Sequence, residues 1–239
     1  MKAFICHYSP LKDRRRYLVS ILPGLGFPEV EWITEKNIGH YDRSAVYDAS
    51  PRALALRNST VFSKFGMKYQ RPLSEAEIEI TLQHFECYSR ICQQGIERAA
   101  IFEDDVRFKK NFSRFFNRFV EELPKDFDVF YFGKGCGHHR SPMTVSDWIQ
   151  NILWKKYVFR NEECRSRFTD SYVVSAAAAK KILDHCFPFH LPIDWELNYL
   201  QSSLAMKIYW SEPTLTFQGS KYGYYKSNLK AAFIPTFPP

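Results

Sequence analysis

Apolar residues occur along the chain in short blocks that alternate between the spacing of strands and the spacing of helices. Strands are predicted at residues 2–7, 30–34, 99–102, 128–133, 171–174 and 207–210. Helices are predicted at residues 11–22, 78–96, 112–119, 176–186 and 194–204. This alternation predicts an α/β fold with a mixed, mostly parallel sheet flanked by helices. Because no repeat or linker divides the chain, we expect a single domain over residues 1–239.

Two of the predicted helices have clear start signals. Ser74 and Glu77 have the Ser-x-x-Glu spacing of a capping box, which predicts the start of the long helix. Asn111 is predicted to cap the following helix. Aromatic residues three and four positions apart then predict a core-facing stripe at Phe112, Phe115, Phe116 and Phe119.

Residues 134–168 have no sustained periodicity, which predicts a long excursion and an acceptor-side lid. Cys136, His138 and His139 lie in it. Adjacent histidines rarely bind one ion and a fourth ligand is missing, so we interpret this stretch as an acceptor-facing loop, with a metal site as the alternative. Other aromatic residues of the excursion are interpreted as core, with sugar stacking as the alternative: Trp148, Trp154, Tyr157 and Phe159.

The composition is that of a folded protein, with 45% hydrophobic and 25% charged residues. The six cysteines are scattered without a Cys-x-x-Cys pair, which excludes zinc-finger and dithiol redox motifs and indicates reduced thiols. No apolar run reaches the roughly 20 residues of a membrane span. The first residues do not form a signal peptide, which predicts a cytoplasmic location. A secretory-lumen domain whose anchor has been removed is the alternative, and only there would the sequons at Asn58 and Asn111 matter.

The most specific chemical feature is a run of three acidic residues, Glu103, Asp104 and Asp105, directly after an apolar strand. Ligands bind at the carboxyl ends of strands in open α/β sheets, and adjacent carboxylates repel one another unless a cation lies among them. On an extended chain, Glu103 and Asp105 would point to one side and Asp104 to the other. The run therefore predicts a Mn²⁺ or Mg²⁺ site that a diphosphate completes, with a solvated acidic turn as the alternative.

Four segments in this order resemble glycosyltransferase family 25, which contains lipopolysaccharide and procollagen galactosyltransferases. They are residues 73–78 with 83–84, residues 100–106, residues 127–133, and residues 172–183 with 192–195. The Glu-Asp-Asp run is the most specific of their motifs. The resemblance implies a GT-A, Rossmann-like fold and metal-dependent, inverting transfer of a hexose, galactose or glucose, from a UDP-sugar to a glycan or protein-linked hydroxyl. This sequence departs from the family pattern at Pro10-Leu11 and Gln83-His84, so donor and acceptor are less well defined than the fold.

The resemblance and the chemistry together assign roles to particular residues. Glu103 and Asp105 are the predicted metal ligands, and Glu103 and Asp104 are also expected to contact the donor. Arg14 and Gln218 are predicted to contact the diphosphate. An inverting transfer also needs a base that takes the proton of the acceptor hydroxyl. That base is predicted to be Asp194 or, as the alternative, Glu196; Asp194 as a simple helix cap is a third possibility, and His84 is either packed or a ligand.

Two other classes of function stay open. A carbohydrate-binding pseudoenzyme of the same fold would hold a donor without turnover. The charge of +7 over 239 residues would also suit a basic phosphate- or nucleic-acid-binding protein, whose binding would weaken steeply with salt. That charge is not concentrated as in nucleic-acid-binding proteins, so the expected partners are a nucleotide-sugar donor and a glycan or glycoprotein acceptor, without nucleic acid and without a transmembrane segment.

Overall fold

The computed structural model of the protein describes residues 1–57, 71–135, 156–163 and 166–226. Most of the predicted excursion and lid therefore lies outside the described residues. The same holds for the sequon at Asn58 and for these residues of the excursion: Cys136, His138, His139, Trp148 and Trp154.

The described chain alternates between strands and helices. The strands are β1 (Ala3–Cys6), β2 (Val30–Ile33), β3 (Arg98–Glu103), β4 (Val106–Phe108), β5 (Val129–Tyr131), β6 (Val158–Asn161), β7 (Ser171–Ser175), β8 (Ile208–Ser211) and β9 (Thr216–Gln218). The helices are α1 (Lys12–Ile21), α2 (Arg43–Val46), α3 (Pro51–Arg57), α4 (Glu75–Gln93), α5 (Phe112–Glu122), α6 (Ala176–Leu183) and α7 (Ile193–Ser203), with a 3₁₀ turn at Pro23–Leu25. No described helix has the length and apolar character needed to cross a bilayer.

Seven strands form one mixed sheet in the order β2-β1-β3-β7-β5-β8-β6, and β4 pairs with β9 in a separate two-stranded sheet. In the large sheet β1, β2, β3, β5 and β8 run in one direction, and β6 and β7 run against them. The predicted α/β class with a mixed sheet is confirmed. Strands β4, β6 and β9 were not predicted from the sequence.

Helices cover both faces of the sheet, so its central strands are apolar on both sides. Side chains alternate between the faces: Phe4 and Ile101 pack on the face covered by α4, α6 and α7, whereas Ile5 and Phe102 pack on the face covered by α1 and α5. This alternation explains why the strands appear in the sequence as continuous apolar runs.

The start signals of α4 and α5 have different outcomes. At α4 the capping box is confirmed, because the amide of Ser74 donates to Glu77 Oε2 at 2.7 Å and the amide of Glu77 donates to Ser74 Oγ at 3.4 Å. At α5 Asn111 occupies the cap position, but its side chain makes no capping hydrogen bond. The expected cap is wrong because Asn111 has φ −99° and ψ 15°, whereas a capping residue is normally extended. Helix α5 is therefore held by its packing.

The aromatic stripe of α5 is confirmed as core. Phe112, Phe116 and Phe119 are buried, and Tyr157 stacks on Phe119 with ring centroids 5.2 Å apart. Phe159 is buried as well, so Tyr157 and Phe159, the two described members of the predicted aromatic set, contribute to packing, as the core interpretation expected.

Replacing Phe119 by alanine should lower the free energy of unfolding by about 3 to 5 kcal/mol, because the change leaves a cavity under α5. Urea denaturation measures this loss. The matched control is Asn117→Ala, at an exposed position of the same helix, which should stay within roughly 0.5 kcal/mol of wild type. Equal losses in the two variants would contradict the assignment of the stripe to the core.

Candidate active site

The acidic run lies where two parallel strands end side by side. Strands β1 and β3 pair so that Cys6 lies opposite Glu103, and the loop after β1 therefore lies beside the acids. Asp104 and Asp105 form the turn between β3 and β4, so the alternation expected of an extended chain does not apply to them. Hydrogen bonds orient each carboxylate instead. The partners of Asp104 come from a different part of the chain than those of Glu103 and Asp105.

The carboxylate of Asp104 faces the loop after β1. Its Oδ1 accepts a hydrogen bond from Arg14 Nη1 at 2.7 Å. Its Oδ2 accepts one from the amide of Tyr8 at 3.2 Å and lies 2.8 Å from His7 Nδ1. Both oxygens are thus engaged by protein groups, so the direct contribution of Asp104 is to hold Arg14 and the loop in place.

Arg14 links three parts of the site. Besides its ion pair with Asp104, its Nη2 donates to the carbonyl oxygen of Lys226 at 2.7 Å, and its guanidinium lies 5.2 Å from the ring centroid of Tyr225. The side chain is buried, which prevents solvent from screening its charge. A cation is therefore held directly beside the acidic turn.

Asp105 is tied to the turn that follows β9. Ser220 Oγ donates to its Oδ2 at 2.5 Å, and the amide of Gly219 donates to its carbonyl oxygen at 2.7 Å. A Cβ at Gly219 would lie 2.7 Å from that carbonyl oxygen, so only glycine allows this approach. The other carboxylate oxygen, Oδ1, is buried and has no hydrogen-bond partner among the described residues. Burial, together with the charge of Glu103, raises the pKa of Asp105 to about 6.

The carboxylate of Glu103 lies beside Thr169 and His84. Thr169 Oγ1 donates to its Oε1 at 2.6 Å. His84 Nε2 lies 3.6 Å from the same oxygen, beyond hydrogen-bond length, and His84 Nδ1 is 2.7 Å from the hydroxyl of Tyr172. His84 is fully buried, and its Nε2 has no hydrogen-bond partner among the described residues, so both of its expected roles stay open.

Asp170 is a fourth carboxylate beside the run. Because β7 is antiparallel to β3, the carbonyl of Asp170 accepts the amide of Glu103 at 3.0 Å. Its Oδ2 accepts from Ser171 Oγ at 2.9 Å, whereas its buried Oδ1 has no partner in the described part of the chain. Burial and the charge of Glu103 raise the pKa of Asp170 well above its ordinary value. A Cβ at Gly133 would lie under 3 Å from this carboxylate, so the absence of a side chain there makes room for it.

Asp194 lies in the first turn of α7, where Pro192 occupies the cap position. The interpretation of Asp194 as the helix cap is therefore wrong, because the helix begins one residue earlier, at Ile193. Its Oδ1 accepts the amide of Trp195 at 3.0 Å. Burial, with a further contribution from the charge of Glu103, raises the pKa of Asp194 to about 7. A carboxyl with this pKa exchanges protons near neutral pH.

Glu196 has a different environment. It is fully buried, and its Oε2 accepts the backbone amides of His190 and Leu191, each at 3.1 Å. These bonds hold the chain just before α7. The arrangement favours Asp194 over Glu196 as the base.

A cavity of about 570 Å³ opens beside the acidic turn. Its walls come from the loop after β1, the first half of α4, the acidic run and the end of β9. The residues are Cys6, Tyr8, Leu11, Arg14, Glu75, Ala76, Glu79, Ile80, Gln83, Glu103, Asp104, Asp105, Gln218 and Ser220. The structure thus brings five of the seven predicted site residues to one cavity. Asp194 and Glu196 are not among the described residues that line it.

Four residues at the site were not predicted from the sequence: His7, Thr169, Asp170 and Ser220. His7 is the last residue of a predicted strand, and Thr169 and Asp170 directly precede another, so polar residues at strand ends were the available signal. Nothing local indicates that Asp170 lies beside Glu103, because the contact depends on the antiparallel pairing of β3 with β7.

Comparison with known proteins identifies the class. A family model described as "Glycosyltransferase family 25 (LPS biosynthesis protein)" matches residues 31–196. The match covers more than half of the chain and includes the acidic run, Asp194 and Glu196. The protein belongs to glycosyltransferase family 25, as the motifs predicted.

Individual relatives are more distant. The chain is 28% identical over 151 residues to the mouse "Inactive glycosyltransferase 25 family member 3", which covers 57% of this chain and 24% of that protein. It is 28% identical over 129 residues to mouse "Procollagen galactosyltransferase 2" (52% and 19%) and 27% identical over 139 residues to "Procollagen galactosyltransferase 1-A" of Xenopus laevis (53% and 21%). The chain thus matches a quarter or less of the length of each.

A solved structure, the apo form of mouse xyloside xylosyltransferase 1, is also similar. The alignment covers 91% of this chain and 83% of that one, with 11% identity and a TM-score of 0.32.

The acidic cluster fits a divalent cation only if a phosphate group supplies further oxygen ligands. Among the described residues, no group of three or more His, Cys, Asp and Glu side chains is arranged to hold a metal by itself. The buried Oδ1 of Asp105, which has no hydrogen-bond partner among the described residues, is nevertheless an oxygen atom that can coordinate a cation. Hard cations such as Mg²⁺ combine one or two carboxylates with the oxygens of a substrate phosphate. The residues fit a metal that a diphosphate helps to bind.

Replacing Asp194 by asparagine should stabilise the protein above neutral pH. The folded pKa of about 7 exceeds the ordinary value of 3.8, so the stability that this group contributes is complete below pH 4 and is lost as the pH rises to 7. Asparagine has no such loss and can still accept the amide of Trp195. Thermal melting should show a gain of about 1 to 4 kcal/mol at pH 8 that disappears near pH 4. A variant less stable than wild type at pH 8 would contradict the raised pKa.

Proposed function

We propose that this protein is a metal-dependent, inverting glycosyltransferase of the GT-A type. It would transfer a hexose, galactose or glucose, from a UDP-sugar to a hydroxyl of a glycan or protein-linked acceptor. The observation that carries the proposal is the buried acidic turn with an unpartnered oxygen, opening onto a cavity large enough for a nucleotide. Family membership supports the reaction type, and two of the relatives named above are galactosyltransferases by name.

The donor would be bound by residues from three elements. Glu103 and Asp105 would hold the cation, which supplies positive charge to the diphosphate as UDP leaves. Arg14, held by Asp104, would direct its guanidinium toward the same phosphates, and Gln218 at the end of β9 would approach from the opposite wall. Because these groups are preorganised by protein contacts, little rearrangement would be needed when the donor binds.

Asp194 would act as the base that accepts the proton of the attacking hydroxyl. Its pKa of about 7 is matched to proton transfer at neutral pH. The same carboxylate would serve poorly if it were fully ionised at an ordinary pKa, since a weaker base has less driving force for the transfer. Glu196 would keep the chain before α7 in place.

Mn²⁺ should raise the affinity for UDP, and Asp105→Ala should abolish the gain, because the unpartnered carboxylate oxygen would be lost. Calorimetry with UDP, with and without Mn²⁺ and again after a chelator, measures both effects. The matched control is Asp126→Ala, which removes an exposed acid paired with Lys207 and should bind like wild type. Equal UDP affinity with and without Mn²⁺ in folded wild-type protein would refute the metal assignment.

Asp194→Asn should reduce sugar transfer by roughly 10²-fold or more while UDP and Mn²⁺ binding stays near wild type, because the base acts only on the acceptor. Transfer assays with UDP-galactose and UDP-glucose provide the measurement. Glu196→Gln is the paired variant and should keep near-normal transfer. If it loses transfer while Asp194→Asn does not, the base is Glu196, and if both retain transfer the proposed mechanism has no base.

A carbohydrate-binding pseudoenzyme is the second candidate, because one of the relatives is named an inactive family member. The two candidates differ in turnover with the donor alone. An enzyme should slowly release UDP from the UDP-sugar in the presence of Mn²⁺, whereas a pseudoenzyme should bind the donor and leave it intact. Donor binding that depends steeply on salt and not on metal would instead favour a basic phosphate-binding protein.

A further inference from the structure

The turn after β9 places two aromatic rings on the surface beside the cavity. Tyr222 is 44% exposed and Tyr224 is 56% exposed, and both rings pack against Phe217. We call these three residues the aromatic shelf. Contiguous exposed apolar side chains often mark binding surfaces, because their exposure to water does not stabilise the folded protein.

Contacts with neighbouring side chains hold the aromatic shelf in place. The ring centroids of Tyr222 and Tyr224 lie 5.3 and 5.7 Å from that of Phe217. Lys134 Nζ lies 4.7 Å from the centroid of Tyr222, and the guanidinium carbon of Arg107 lies 4.7 Å from that of Tyr224. Cations near aromatic rings are attracted to the negative ring face. These contacts orient both tyrosines in the structure.

The shelf is also joined to the acidic turn. Gln218 and Ser220, on either side of Gly219, line the cavity, and Ser220 and Gly219 both donate hydrogen bonds to Asp105. The amides of Tyr222 and Tyr224 both donate to the carbonyl of Gly219, at 3.2 and 3.0 Å. The shelf thus starts at the cavity wall, within two residues of a group bonded to Asp105.

We propose that the aromatic shelf is the acceptor subsite and stacks the C–H face of a pyranose ring. The inference rests on the proposed function, in which the donor occupies the cavity and the acceptor must approach from its rim. The C–H groups of a pyranose carry partial positive charge and are attracted to the negative face of an aromatic ring. Tyr222 and Tyr224 stay about half exposed beside Lys134 and Arg107, so part of each ring is accessible to a sugar.

The test uses the wild-type protein loaded with UDP and Mn²⁺. Saturation-transfer NMR with the methyl glycosides of galactose, glucose, N-acetylglucosamine and xylose should show transfer to the C–H protons of at least one sugar. The double variant Tyr222→Ala/Tyr224→Ala should lower the affinity for that sugar by roughly 10-fold or more, as expected for the loss of two stacking contacts. The double Tyr→Phe variant should retain most of the affinity, because it keeps both rings.

Two controls separate this proposal from the proposed function. Calorimetric affinity for UDP with Mn²⁺ should be unchanged in the double alanine variant, and Phe187→Ala, which removes an exposed ring elsewhere, should alter neither UDP nor sugar binding. If UDP affinity falls with the shelf, the rings serve the donor and the proposal is wrong. Normal UDP binding with no sugar response in wild type, or with equal sugar binding in the double alanine variant, also overturns it and leaves the proposed function standing. Absence of UDP binding in wild type would instead refute the proposed function.

Discussion

The burial of several carboxylates close to one another is the constraint on which the site depends. Burial raises the pKa of Asp105, Asp170 and Asp194, and the charge of Glu103 raises each further. In an isolated fold these contributions are unfavourable near neutral pH, since each acid is more easily ionised in the unfolded chain. Under the proposed function, a cation bound beside this cluster would offset the repulsion among its carboxylates.

Different surrounding residues hold the different carboxylates of this cluster. Arg14 neutralises Asp104 and ties the loop after β1 to the segment near Lys226. Ser220 holds one oxygen of Asp105, and the other has no hydrogen-bond partner in the part of the chain that the structure describes. The same turn that makes this bond also carries the aromatic shelf. Binding at the cavity and at the shelf would therefore involve the same short stretch of backbone, which places donor and acceptor next to each other if the proposed function holds.

Sequence patterns predicted the large elements well, because each depends on residues close together in the chain. The capping box of Ser74 and Glu77, the phenylalanine stripe of α5 and the apolar block of β3 are all local signals, and the structure contains all three. The side chain of Asn111 shows the limit of such signals. Its residue type suits a helix cap, but the backbone at that position is not extended and the bond does not form.

The sequence by itself determined that three acids follow a buried strand, and thus that negative charge accumulates at one edge of an α/β sheet. Only the tertiary structure decided which groups contact these acidic side chains. Asp170 meets Glu103 through the pairing of β7 with β3, and Ser220 meets Asp105 through the pairing of β9 with β4. Thr169, next to Asp170, lies 66 residues from Glu103 in the sequence, and Ser220 lies 115 residues from Asp105. Strand pairing over such distances depends on the whole packed sheet, which no local pattern encodes.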